Sequence, residues 1–182
     1  MINTVGLRAI EHDDLRQCMT WRNRDDIRTR TRENRYLTMA DQQRWYDSLT
    51  DPESHDRMFM VTFDDEPVGV VGVCDINWRD RHAEISFYLG EQTVARRGIT
   101  RDALHQLHLY AFRELGLHTI WAEVYAFNTP GYALLTSLGY HSPGVLREHV
   151  WRFGGWHDAA LMQLSVVEWK EPRWDSEVSR YR

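Results

Sequence analysis

Hydrophobic and polar positions along the chain change period several times, and each change marks a new element. Residues 5–10 alternate enough for a short first strand, and Glu11, His12, Asp13 and Asp14 then supply acidic capping residues for a helix reaching about Arg22. Residues 24–35 are highly charged with no apolar period and read as a loop or frayed turn. Thr38 and Asp41 are spaced as a capping box, opening a second helix that carries Trp45, Tyr46 and Leu49 and stops before Asp51 and Pro52. From Met58 the pattern becomes that of strands: residues 58–63, a turn at 64–67, then valine-rich residues 68–76. Residues 82–89 alternate strictly, with Ala83, Ile85, Phe87 and Leu89 on one face and His82, Glu84, Ser86 and Tyr88 on the other. One of these faces can line a site.

The second half is punctuated by glycines. Residues 98–115 place Ala103, Leu104, Leu107, Tyr110, Ala111 and Leu115 on one helical stripe, with Gly116 as the C-cap. A strand follows at 119–127, then Thr129 and Pro130 as a helix start, a short helix over 132–138 and a stop at Gly139. Two long strands, 140–151 and 156–166, flank the turn at Phe153, Gly154 and Gly155. Strand and helix alternate, with no repeat and no linker. The order predicts an α/β (α+β) architecture, a mixed central sheet of about seven strands flanked by about four helices. Residues 1–169 read as one domain and 170–182 as a peripheral tail.

Composition narrows the picture by exclusion. At 182 residues, 42% hydrophobic and 27% charged, the chain has the makeup of a single globular domain. A net charge of −5 argues against nucleic acid as a partner, and no stretch reaches membrane-spanning length, so the expected compartment is the cytoplasm. Cys18 and Cys74 are far apart and in no metal-ligand spacing, and are expected as free, buried thiols. His105 and His108 lie three apart on the long helix without an HExxH pattern, and are expected as surface or rim residues rather than metal ligands. Eight tryptophans can fill a core, stack on a substrate or form a homodimer contact through the last strands.

The segment with candidate chemistry is Val94, Ala95, Arg96, Arg97, Gly98, Ile99, Thr100 and Arg101, which leads from a strand into the long helix. A helix start offers unpaired N–H groups and the positive end of the dipole, so a pyrophosphate can settle there. A solvated basic loop is the alternative reading.

This strand, loop and helix resemble the acetyl-CoA pyrophosphate loop of the GCN5-related N-acetyltransferases. The family's Gln or Arg and its final Gly or Ala are replaced by Ala95 and Thr100, while Gly98 matches. A second block strengthens the resemblance: residues 121–128 ending at Asn128, a short helix, then Leu138, Gly139 and Tyr140 at the family's spacing. Shorter pieces at residues 7–10, Trp21-Arg22-Asn23, Trp45-Tyr46 and 144–148 resemble the RimJ/RimL-like branch, with some likeness to pseudaminic-acid-pathway amino-sugar acetyltransferases.

The resemblance implies a GNAT fold, acetyl-CoA as co-substrate without a metal, and direct transfer of acetyl to an amine. The acceptor implied is a small molecule such as a nucleotide-linked amino sugar. A protein N-terminus and a non-catalytic acyl-CoA-binding domain are the alternatives. An alkylammonium with a pKa of about 10 must lose a proton before attacking, so a base is required. Glu123, five residues before Asn128, is the first candidate and Glu84 the second, although either can be a carboxylate paired with an arginine. Tyr88 and Leu89, at the end of their strand, match the family position that contacts the pantetheine and the acetyl carbonyl. Arg96, Arg97, Gly98, Ile99, Thr100, Arg101 and Asn128 complete the implied cofactor contacts. The family's general-acid tyrosine is replaced by Leu135, which leaves Tyr132 on that helix as the substitute, with packing against the cofactor as its alternative role and Tyr88 and Tyr125 as other phenols within reach. Trp21, Arg22, Arg28, Trp45, Trp78, Trp151 and Trp156 are expected to recognise the acceptor.

Overall fold

The computed structural model describes residues 4–95 and 97–171. Strand β1 (Val5–Ala9) runs through a 3-10 turn (His12–Asp14) into α1 (Leu15–Arg22), followed by α2 (Asp25–Arg28) and α3 (Met39–Thr50). A meander of β2 (Arg57–Phe63), β3 (Glu66–Asn77) and β4 (His82–Leu89) comes next, then α4 (Ile99–Leu109), β5 (Thr119–Tyr125) and α5 (Thr129–Ser137). Strands β6 (His141–Arg152) and β7 (Gly155–Ser165) close the chain's ordered elements. All seven strands form one sheet in the order β1-β2-β3-β4-β5-β7-β6. Every neighbouring pair is antiparallel except β4 and β5, which run parallel across the α4 crossover.

The local reasons match the expected signals at most element ends. Thr38 and Asp41 form the reciprocal capping box that starts α3. Asp64 and Asp65, both at positive φ, turn β2 into β3, and Phe153 and Gly154 do the same between β6 and β7. The long helix differs at its end: after Leu109 it widens into a π turn (Tyr110–Glu114), where the Leu115 N–H reaches back to the Tyr110 carbonyl. The charged segment expected as a loop or frayed turn contains the short α2, so the described residues hold five α-helices, in keeping with the expected sheet flanked by about four.

Alternation in β4 divides the core. Ala83 and Ile85 pack with Ala103, Leu104, Leu107, Leu135 and Leu138 beneath α4 and α5. Tyr88 packs on the opposite side with Leu15, Cys18, Trp21, Met60 and Val70 beneath α1 and α3. Helices thus cover both faces, and the site lies where the sheet between them opens.

Two expectations about buried groups change. His108 is fully buried, not at the rim, and its Nε2 lies 2.9 Å from the Tyr140 hydroxyl. Its ring falls one turn from Leu104 and one from Phe112, on the core stripe of α4. Of the tryptophans, Trp21 alone among the described residues joins the fully buried core, while Trp78, Trp151 and Trp156 are exposed. Cys18 is buried and Cys74 half-buried, both as free thiols.

Candidate functional site

The parallel pair supplies the site by coming apart. Strand β4 pairs with β5 only over His82–Thr119, Ala83–Ile120 and Glu84–Trp121, yet β4 continues to Leu89 and β5 to Tyr125. Beyond Glu84 the strands separate around a cleft of about 890 Å³, lined by Ile85 to Leu89 on one side and Ala122 to Tyr125 on the other. The Gly90 N–H bonds to the Val68 carbonyl of β3's side, so strand alternation turns the backbone groups of Phe87 and Leu89 towards the opened edge. A polar backbone edge inside a partly apolar cleft is suited to an extended ligand that hydrogen-bonds like a strand.

Two carboxylates stand at the apex. Glu84 faces Trp121 in register, and Glu123 is two residues further along β5, so both project from the same face of the sheet. Their side chains are only 14% and 10% exposed. Arg32 covers them: its guanidinium donates to both Glu84 oxygens at 2.8 and 3.1 Å and to Glu123 Oε2 at 3.3 Å. His149 Nε2 lies 3.7 Å from the other Glu123 oxygen. Burial raises the Glu84 pKa above the ordinary carboxylate value, opposed by the Arg32 hydrogen bonds. The arginine-paired reading and the buried reading of these carboxylates therefore hold together.

The remaining expected residues divide by position. Thr100, Asn128, Tyr88 and Leu89 line the cleft, and so does Ala95. Gly98 adopts φ +80°, a conformation that strains other residues, and no side chain caps α4 there, so the first-turn N–H groups point outward. Arg97 and Arg101 are exposed beside this end, Arg101 bonding the Ser137 hydroxyl at 2.9 Å. Arg96 lies outside the described residues. The Ile99 side chain packs in the core, which leaves only its backbone for a ligand. The Asn128 carboxamide oxygen accepts from the Gly131 N–H at 3.4 Å, capping α5. The Tyr88 hydroxyl is buried beside the Cys18 thiol, and burial raises its pKa well above normal.

Tyr132 does not enter the cleft: it is 42% exposed and absent from the lining, while Leu135 is sealed in the core. The residues of α5 that line the cleft are Pro130, Gly131 and Leu134, and none has a side-chain proton to give. Neither cysteine supplies a thiolate at neutral pH, because burial pushes Cys18 up to about 11 and Cys74 up to about 12. Among the described residues no group of three or more His, Cys, Asp or Glu side chains could hold a metal, and no helix is long and apolar enough to cross a membrane.

Of the aromatics and cations expected to recognise an acceptor, Arg22 and Trp45 line the cleft. Trp21 instead packs against Gly90, with its indole N–H on Glu91 at 3.0 Å, and Trp78, Trp151 and Trp156 lie away from the lining. Sequence reasoning missed Arg32. No spacing rule links it to Glu84 and Glu123, which are 52 and 91 positions away.

The sequence profile described as an acetyltransferase (GNAT) domain matches residues 7–161. The chain is 35% identical over 105 residues to the uncharacterized N-acetyltransferase p20 of Bacillus licheniformis, spanning 58% of this chain and 58% of that relative's length. It is 26% identical over 160 residues to the spermidine N(1)-acetyltransferase of Escherichia coli strain K12, covering 88% of this chain and 85% of that one. The fold matches the crystal structure of spermidine N-acetyltransferase from Vibrio cholerae in complex with CoA and spermine, with a TM-score of 0.83 at 23% identity over 90% and 96% of the two chains. With its open β4–β5 edge and uncapped α4 start, the chain belongs to the GNAT acetyltransferase domain family.

Proposed function

We propose that the protein is an acetyl-CoA-dependent N-acetyltransferase that acetylates a small primary amine, with a polyamine as the acceptor class. The observation that carries the reading is the pair Glu84 and Glu123, shielded from water at the point where β4 and β5 separate. Acetyl-CoA supplies the activated thioester. The open backbone edge of Phe87 to Leu89 fits the pantetheine and can donate an N–H to the acetyl carbonyl. The N-terminus of α4 at Gly98, with Thr100, Arg97 and Arg101, fits the pyrophosphate.

The acceptor's ammonium is held between the two carboxylates and loses a proton to Glu123. Glu123 takes that role because Arg32 holds it through a single contact at 3.3 Å, which leaves its carboxylate easier to release to the acceptor than Glu84, gripped through two nitrogens. The freed amine attacks the thioester carbon, a C–N bond forms as the C–S bond breaks, and the departing thiolate takes up the second proton shed by the acylated nitrogen, giving the amide and free CoA thiol. A thiol pKa of about 8.5 lets it depart without a protein acid, consistent with Leu134 and Leu135 on α5. Transfer is direct, since both cysteine thiols stay protonated.

The polyamine class draws support from the E. coli relative aligned over most of both chains and from the paired carboxylates, which suit a cation. One observation favours the nucleotide-linked amino sugar instead: Arg22 lines the cleft half-buried, donating among the described residues to the Glu33 carbonyl at a long 3.4 Å, and could take a phosphate. Thiol release from acetyl-CoA, measured with spermidine, spermine, a UDP-linked amino sugar and an N-terminal peptide, separates the classes. Turnover with the polyamines is expected. CoA binding without thiol release for any amine would reject catalysis and leave a binding domain.

A further inference from the structure

Arg32 stands where a cationic acceptor has to place its amine. Its Nη2 alone reaches both carboxylates, at 2.8 Å to Glu84 and 3.3 Å to Glu123, while its own side chain remains 61% exposed. The cation therefore covers the pair from the solvent side.

The segment carrying Arg32 is pinned on both flanks. Arg152 donates from Nε to the Thr29 carbonyl at 3.2 Å and from Nη2 to the Thr31 carbonyl at 3.0 Å. Beyond Arg32, the Arg28 guanidinium holds the Asn34 carbonyl at 2.6 Å. Asn23 then clamps Leu37, its side-chain amide donating to the carbonyl at 2.8 Å and its oxygen accepting the N–H at 2.7 Å. With the backbone fixed, the long exposed side chain is the part that can swing away. Two neighbouring half-buried carboxylates with no cation between them would repel each other and lose solvation. Something positive belongs there when no acceptor is bound.

We propose that Arg32 is an internal occupant of the acceptor's ammonium subsite and is displaced competitively by the substrate, which makes it a specificity-determining residue. This rests on reading Glu84 and Glu123 as the acceptor site. A protonated amine replaces one cation with another and leaves the carboxylates neutralised, whereas an uncharged amine offers no such exchange. Polyamines have a further advantage, because their second charge remains available for the acidic side chains along the cleft, such as Glu33 and Asp75.

Arg32→Ala is expected to lower the KM for spermidine about two- to fivefold, the scale of one partly exposed ion pair, and to change KM more than kcat. Arg32→Lys restores a KM near that of the wild type. Methylguanidinium, a free copy of the lost group, inhibits Arg32→Ala competitively against spermidine at concentrations that leave the wild type unaffected. An unchanged or raised KM in Arg32→Ala, with methylguanidinium acting equally on both proteins, overturns the proposal. If no variant releases thiol from acetyl-CoA, the catalytic reading fails separately, and calorimetry still decides the role of Arg32. Methylguanidinium binding to Arg32→Ala alone, displaced by spermidine, supports it, and equal or absent binding in both proteins rejects it.

Discussion

Lowering the pH should unfold this protein through one buried imidazole. His108 and Tyr140 are 0% and 3% exposed, joined at 2.9 Å, and the His108 Nδ1 has no hydrogen-bond partner among the described residues. Burial, with a smaller contribution from His105, lowers the His108 pKa from 6.5 to about 3. The native ring thus stays neutral while the unfolded ring takes up a proton. Its stabilising effect is complete above 6.5 and is lost as the pH falls towards 3. Between about pH 7.5 and about pH 5.5 the loss should be about 1.4 kcal/mol, rising towards roughly 5 kcal/mol at the acid limit.

Urea denaturation across that range, on the wild type and on His108→Leu/Tyr140→Phe, isolates the effect. Removing both partners leaves no orphaned polar atom, so the double variant should fold and lack this component of the pH slope. Tyr140→Phe alone strands the imidazole and should cost about 1–3 kcal/mol at neutral pH. His105, which touches the His108 ring and is itself paired with Asp102, remains in every variant, so the comparison reads the His108 component together with its coupling to His105. Equal slopes in the wild type and the double variant would refute the assignment.

Replacing Glu123 by Gln should reduce turnover by about 10²–10⁴-fold. Calorimetric titration with acetyl-CoA should show unchanged affinity, and a matching loss of affinity would argue against a role as base. Burial raises the Glu84 pKa against the pull of Arg32, with Asp75 and Glu123 adding to the rise. The rate should therefore fall as pH drops through a value above the ordinary carboxylate range, and Glu84→Gln should move that acid limb of the kcat/KM profile. Gly90→Ala would drive a methyl group into the Trp21 indole. It should cost about 1–3 kcal/mol in thermal or urea unfolding, and Trp21→Ala in the same background should recover part of the clash.

The sheet and the long helix were legible because burial imposes a period on them. The alternation of residues 82–89 placed Ala83 and Ile85 against one helical layer and Glu84 and Tyr88 towards the other, as found. Gly98, Thr38 with Asp41, and Gly139 marked element ends through backbone requirements visible one residue at a time. His108 was legible too, had its spacing from Leu104 and Phe112 outweighed its polarity. The segment from Arg24 to Arg35 was not. Its order comes from individual ion pairs and carbonyl contacts, such as Arg24 with Asp26 at 2.6 Å and Arg35 with Asp41 at 2.9 Å, which carry no period. The cap on Glu84 and Glu123 depends on that segment, so the carboxylates could be named from the sequence while their partner could not.

The parting of β4 from β5 has a consequence for how such a protein can change. The exposed edge is made of peptide groups, which every amino acid except proline provides alike. Substitution along residues 85–89 can alter the walls of the cleft while the edge persists. If the strap between α1 and α3 sets the acceptor as proposed, change in the acceptor would fall on a different part of the chain, on side chains such as Arg32 that reach the cleft rather than on Ile27, which belongs to the core. On that reading donor and acceptor would be inherited separately, one written in the topology and the other in the few side chains of the strap that reach the cleft.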